Sequence, residues 1–175
     1  MMSGPDTGAS PALDQRIRLA SVLVGAIAMS VVGFAVIGTI VAKTSDGEMP
    51  AGLLVGIVSA SFFALLMSVI FRRINYQPIR LRQVFDSGGE AGLANHMLRT
   101  TIVSAALAEA VGIFGLMLGI MSGDTYYLYA LCAIALLGVL SNFPRARRWR
   151  ELSYEISAQT DAGAPAGGLG IGSAR

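Results

Sequence analysis

The chain has 175 residues, of which 54% are hydrophobic and 14% charged, with a formal net charge of +2 and a mean hydropathy of +0.63. A soluble domain carries about 25% charged residues, so this composition argues against a soluble fold and for an integral membrane protein. The small net charge gives no reason to expect nucleic-acid binding, and a single cysteine, Cys132, excludes an intrachain disulfide.

Residues 1–15 are rich in Ser, Gly, Pro and Ala, a composition expected to form a disordered arm. Residues 16–157 are expected to form one all-α, polytopic domain of four transmembrane helices arranged as two hairpins. Residues 158–175 are Gly- and Ala-rich and are expected to form a disordered tail.

The first apolar stretch runs from Leu19 to Ala42, between Arg18 and Lys43. It exceeds the roughly 7–15 apolar residues of a signal-peptide core, and Ile40-Val41-Ala42 is a poor small-x-small cleavage site, so the span is expected to be retained. The second stretch, 51–71, carries Gly52, Gly56 and Ala60 as a weak small-residue series. Between Arg72 and Arg99 lies the longest segment expected to be a loop, broken at Pro78 and at Ser87-Gly88-Gly89. Ile79, Leu81, Val84 and Phe85 suit a short amphipathic turn on the membrane surface. Glu90–Arg99 suits an in-phase extension of the third span, with Glu90 favourable near its start. His96, the lone histidine, reads as a solvated or interfacial residue rather than a ligand.

The third stretch is 100–123 and the fourth is 125–144. Each span has about the 20 residues that an α-helix needs to cross ~30 Å of hydrocarbon. None shows the strict alternation of a barrel strand. Arg145–Ser157 suits a continuation of the fourth helix, with its arginines at anionic headgroups.

Lys and Arg are sorted by connection. Arg16 and Arg18 precede the first span, and Lys43 alone follows it. Arg72, Arg73, Arg80, Arg82 and Arg99 lie between the second and third spans, none lies between the third and fourth, and Arg145, Arg147, Arg148, Arg150 and Arg175 follow the last. By the positive-inside rule both termini and the middle segment are expected to be cytoplasmic. Tyr126, Tyr127 and Tyr129 then fall at the outer interface and Phe143 and Trp149 near the inner one, levels that aromatic rings favour.

Glu109 is the only Asp, Glu, Lys, Arg or His between Thr100 and Gly123. A charged side chain at the bilayer centre costs roughly 3 kcal/mol or more. Ten residues in from Arg99 place Glu109 about 15 Å deep, near the midplane. Ser30 on the first span and Ser61 on the second fall at matching depth and are the expected hydrogen-bond partners. No basic residue lies at that level. Desolvation without a cation favours the neutral acid, so Glu109 is expected to be protonated near neutral pH.

Beside Glu109 runs a series of small residues: Thr101, Ala105, Ala108, Gly112, Gly115, Gly119 and Ser122. Their alternating spacings of four and three place them on one helical stripe. In lipid such a stripe marks close helix–helix packing.

Residues 105–120, reading AALAEAVGIFGLMLGI, resemble the carboxylate-bearing helix of rotary ATPase proteolipids, the c subunits. That resemblance implies H⁺ or Na⁺ binding at Glu109 in a homo-oligomer. Arg99, the segment Ala106–Ala110, Gly115-Leu116 and Phe143-Pro144 resemble features shared by a group of small, uncharacterised bacterial four-helix membrane proteins. This second resemblance covers nearly the whole chain and implies a multi-pass protein of the bacterial inner membrane, with no activity attached. The residues contain no Ser/His/Asp set, metal motif or Gly-rich phosphate loop, so neither an enzyme nor a cofactor is expected. The expected partners are the lipid bilayer and a second copy or another membrane subunit. The leading reading is a structural or accessory protein in which Glu109 packs helices; the alternative is a proteolipid-like subunit that binds a proton or Na⁺.

Overall fold

The computed structural model describes residues 11–44 and 49–163. Among them the chain is helical, in the order α1 (Pro11–Ala42), α2 (Ala51–Asn75), α3 (Pro78–Ser122), α4 (Thr125–Ser141) and α5 (Ala146–Gly163). Three of these helices are long and apolar enough to cross a membrane, and a fourth crossing exists if the bent pair α4 and α5 is taken as one span. Such a set is compatible with a multi-pass membrane protein.

The helices run further than the apolar stretches. Residues 11–15, expected in a disordered arm, form the first turn of α1, and residues 158–163 belong to α5. The rest of the expected arm and tail lies outside the described residues.

The middle segment 72–99 is not a loop. Arg72–Asn75 finish α2, Tyr76 caps it, and α3 starts at Pro78. Proline suits a first helical position, because its missing N–H would find no partner there. The expected break at Ser87-Gly88-Gly89 survives as a kink: Gly89 has φ 59° and ψ −160°, a conformation that glycine alone adopts readily. Beyond it α3 continues without interruption to Ser122, in phase with the expected extension of the third span. Leu81, expected on the membrane surface, is instead buried with Leu93 and Met97, while Ile79 remains exposed.

At the other end of α3, Gly123 adopts a left-handed conformation with φ 66°, and the Asp124 side chain accepts the Tyr126 amide at 2.8 Å. This C-cap and N-cap turn the chain within two residues into α4. Helix α4 stops at Ser141, short of the expected boundary at Pro144. Seventeen residues make a rod of about 26 Å. Pro144 removes an amide donor and disfavours helical geometry at Phe143. Helix α5 therefore restarts at Ala146 on an axis bent by 43° from α4 rather than continuing it.

Helix α3 is the centre of the bundle. It packs against α1, α2, α4 and α5, whereas α1 and α2 share no contact among the described residues. The expected pairing of the first two spans as a hairpin is thus absent, because α1 and α2 lie against different faces of α3. Of the two expected hairpins only the second, α3 with α4, is packed, and α2 packs on α3 instead of α1. The small-residue series on α2 does not make a contact either: a Cβ added at Gly52 or Gly56 would meet nothing within 4 Å.

Two apolar cores are threaded on α3. One joins Val24 and Val31 of α1, Ala105, Ala108, Val111 and Leu118 of α3, and Leu128, Ala135 and Val139 of α4. The other joins Leu13 and Ile17 of α1, Leu93 and Met97 of α3, and Trp149 and Ile156 of α5. An Arg150–Asp14 ion pair at 2.9 Å also connects α5 to α1. Both its side chains are more than a third exposed and screened by solvent, so it contributes little beside the apolar contacts.

Candidate functional site

Glu109 stands on α3 at its contact with α1. The Ser30 hydroxyl of α1 is hydrogen-bonded to Glu109 Oε1, and Ser30 Oγ also lies 2.7 Å from Ile27 O, a carbonyl of its own helix. A serine hydroxyl carries one hydrogen and cannot donate fully to both oxygens. Both residues are half-buried, so the carboxyl is not sealed inside the bundle. No Lys, Arg or His forms an ion pair with Glu109 among the described residues.

Ser61 is not brought to this site. It is buried on α2, and its hydroxyl donates to Ile57 O at 2.8 Å. Helix α2 meets α3 through a different face, marked by Ser68 Oγ donating to Ser104 O at 2.8 Å. Ser104 and Glu109 are five positions apart, about 140° around the helix. Equal depth therefore did not bring Ser61 to Glu109; the angular position excludes it.

The small-residue stripe lies against α4 and α1. Ala105 and Ala108 are fully buried, and Gly112, Gly115 and Gly119 are buried beside them. A Cβ on Gly115 would stand 2.8 Å from Leu131 Cβ, and one on Gly119 would stand 3.0 Å from Leu128 Cβ. A Cβ on Gly112 would meet Ala135 Cβ and Val31 Cγ1 at 3.4 Å, ordinary contact distance. On the facing helix, a Cβ on Gly138 would stand 3.0 Å from Ala108 Cβ. Glycine or alanine at these positions lets the two backbones approach within one side-chain layer.

Glu109 thus has a hydroxyl partner on α1 and partial exposure, next to a small-residue stripe of α3 that packs on α4. No group of three or more His, Cys, Asp or Glu capable of holding a metal ion occurs among the described residues.

Polar contacts at the α5 end of the bundle escaped the sequence reading. Tyr76 Oη and Thr101 Oγ1 lie 3.2 Å apart, joining the end of α2 to α3. Burial pushes the Tyr76 phenol up from its ordinary value, against the opposing influence of Thr101 and Arg72. His96 Nε2 lies 3.2 Å from Asn75 O, so that nitrogen donates, since a carbonyl can only accept. His96 is half-buried and ties α3 to the last turn of α2. The available signal was the packing of polar residues at Asn75, Tyr76, His96 and Thr101 close to the ends of two apolar stretches.

Comparison with protein-family models, curated proteins and solved structures finds no match to this chain.

Proposed function

We propose that this chain is a structural or accessory protein of the bacterial inner membrane, in which a protonated Glu109 fixes the register of α1 against α3. The observation that carries this reading is the Ser30 hydroxyl, with Ile27 O and Glu109 Oε1 both within its reach. A neutral carboxyl resolves the conflict: Ser30 donates to Ile27 O, and Glu109 donates its own proton to Ser30 Oγ. An ionised Glu109 would bear a charge in hydrocarbon with one hydroxyl and no cation to compensate it. The apolar remainder of the α3 surface, packed on α4 through glycines, supports a packing role over a reaction centre.

In this reading all four apolar stretches cross the bilayer, with α4 and the elbow before α5 completing the fourth crossing. Both termini are cytoplasmic. This is supported by the arginines at the α5 end of the bundle, with Lys43 and the tyrosines at the start of α4 at the other. Neither catalysis nor a cofactor is part of the proposal.

Infrared spectroscopy tests it. A protonated acid gives a carbonyl band that Glu109→Gln removes at pH 7; a carboxylate band removed by the same substitution would overturn the protonated state. Labelling of Glu109 by dicyclohexylcarbodiimide, which attacks protonated membrane carboxyls, gives a chemical check.

The half-buried position of Glu109 favours a second reading, a proton- or Na⁺-binding subunit that works in a homo-oligomer. One side of the carboxyl is open to a second copy, and intramembrane carboxylates mark ion pathways. Liposomes loaded with a pH-sensitive dye separate the two readings. Proton flux in the wild type that Glu109→Gln abolishes supports ion binding, and no flux in either supports the packing role.

A further inference from the structure

At the α5 end of the bundle, the last turn of α2, the middle of α3 and the elbow between α4 and α5 enclose a cleft of about 500 Å³. Its lining includes Arg72, Arg73, Arg145 and Arg148, together with Tyr76 and Thr101. No Asp or Glu lines it. The ion pairs among the described residues are Arg147–Glu151 and Arg150–Asp14, so none of the four cleft arginines has a carboxylate partner there.

The four arginines are not a random surface scatter. Arg72 is oriented by Nη1 donating to Ser141 O at 2.6 Å, which fixes the guanidinium against the end of α4. Nη1 also donates to Asn142 Oδ1 at 3.4 Å, so both contacts use one nitrogen and the Nε and Nη2 side of the planar fork is left for a ligand. Arg73, Arg145 and Arg148 are exposed at the same opening. Pro144 lies in the same lining, so Arg145 and Arg148 enter the cleft at the 43° bend between α4 and α5. Four like charges around one cavity repel one another, and a bound anion would relieve that repulsion.

We infer that this cleft binds a phosphomonoester or inorganic phosphate, held by Arg73, Arg145 and Arg148 around the pre-oriented Arg72, beside the Tyr76–Thr101 pair. Guanidinium forks match phosphate oxygens in pairs, which makes phosphate the best anion for such a set. The group can come from a lipid headgroup or from a soluble phosphate. Val69 and Phe143 line the same cleft and are exposed, so the wall beside the arginines is apolar, as a lipid headgroup with its attached chains requires. The lipid source rests on the membrane reading above; recognition of phosphate does not.

The test uses the full chain purified in a neutral detergent. Dioctanoyl phosphatidic acid, dioctanoyl phosphatidylcholine and inorganic phosphate are the probes. Retention is read by native mass spectrometry, and occupancy by the emission of Trp149, the only tryptophan, which lines the cleft. Combining Arg73→Gln with Arg148→Gln removes two charges while sparing the Arg72 contact. Arg147→Gln, on the same helix but paired with Glu151, is the control. Continued protection of the buried Cys132 thiol verifies that each variant is folded.

The expected result is saturable retention of one phosphatidic acid. It should weaken about tenfold or more in the double variant, be unchanged in Arg147→Gln, and be absent with phosphatidylcholine. Competition by inorganic phosphate supports recognition of the phosphate itself. Saturable binding of inorganic phosphate without phosphatidic acid supports the site with a soluble ligand and removes the lipid source. Binding of neither probe, equal retention of both lipids, or undiminished binding in the folded double variant would overturn the inference.

Discussion

Gly115 and Leu131 hold α3 and α4 at a separation that leaves no room for a methyl group, since a Cβ on Gly115 would stand 2.8 Å from Leu131 Cβ and 3.3 Å from Leu128 O. The second neighbour is backbone and cannot swing aside, so a larger residue must push the helices apart. Overpacking of this kind costs about 1–3 kcal/mol. Gly115→Val should destabilise the bundle by that order and raise the reactivity of Cys132, which is buried in the same interface. Gly33→Ala serves as the contrast, because a Cβ there meets nothing within 4 Å. That substitution should be neutral or stabilise by about 0.5–1 kcal/mol through helix propensity. Thiol-labelling rates across a thermal ramp measure both.

Replacing Glu109 separates its hydrogen bond from its charge. Glu109→Gln keeps a donor that can reach Ser30 Oγ, and its effect on thermal stability should be small. Glu109→Ala removes the partner altogether and should cost about 1 kcal/mol, the usual scale of a helix–helix hydrogen bond in lipid. Ser30→Ala should give a similar loss, and the double substitution should cost less than the sum of the two. Additive losses would show that the two side chains act independently.

Helix α5 depends on Trp149. The indole is only 3% exposed and packs in the core with Leu13, Leu93 and Met97. Truncating a buried aromatic ring costs about 3–5 kcal/mol, far more than the exposed Arg150–Asp14 pair can supply. Trp149→Ala should undock α5 while leaving the α3–α4 contact intact. Limited proteolysis should then cut after residue 145 faster than in the wild type, with Cys132 still protected. Arg150→Gln should leave the cleavage rate nearly unchanged.

Tyr76 gives the protein an alkaline pH dependence. Burial raises its phenol above the ordinary 10.0, so the folded state holds the proton more tightly than the unfolded chain does. The associated stability is fully present below pH 10.0 and is lost as pH rises through the higher folded value. Phenolate absorbance should show a component above the ordinary tyrosine range that Tyr76→Phe removes. The same variant should lose less stability between neutral and alkaline pH than the wild type does.

The sequence was most informative where a residue departed from its surroundings. Glu109 stood out because nothing else in its stretch is ionisable, and Ser30 followed from depth alone. Angular position was harder to read. Where lipid and bundle interior are both apolar, a helix need not advertise which face meets a neighbour. Ser61 looked equivalent to Ser30 for that reason, although α2 meets α3 on the Ser104 side. The glycines of α3 carried directional information because close approach requires small residues, but Gly52 and Gly56 show that small residues also occur where nothing approaches.

The middle segment was misread for the opposite reason. Its arginines and the Ser87-Gly88-Gly89 triplet look like a loop, yet Leu81, Leu93 and Met97 find a shared core only when α1 and α5 fold against them. That partnership spans most of the chain and has no local signature. Pro78 and Pro144 were legible as interruptions, but only the packed structure gives the first as a helix start and the second as an elbow.

Helix α3 runs unbroken from residue 90 to residue 122 after its single kink at Gly89, a rod of about 50 Å at the usual rise. Hydrocarbon accounts for only ~30 Å of that length. The same rod carries Leu93 and Met97 of one core and Ala108 and Leu118 of the other. The two cores thus share one rod, so a displacement of α3 in one of them is carried along its length into the other.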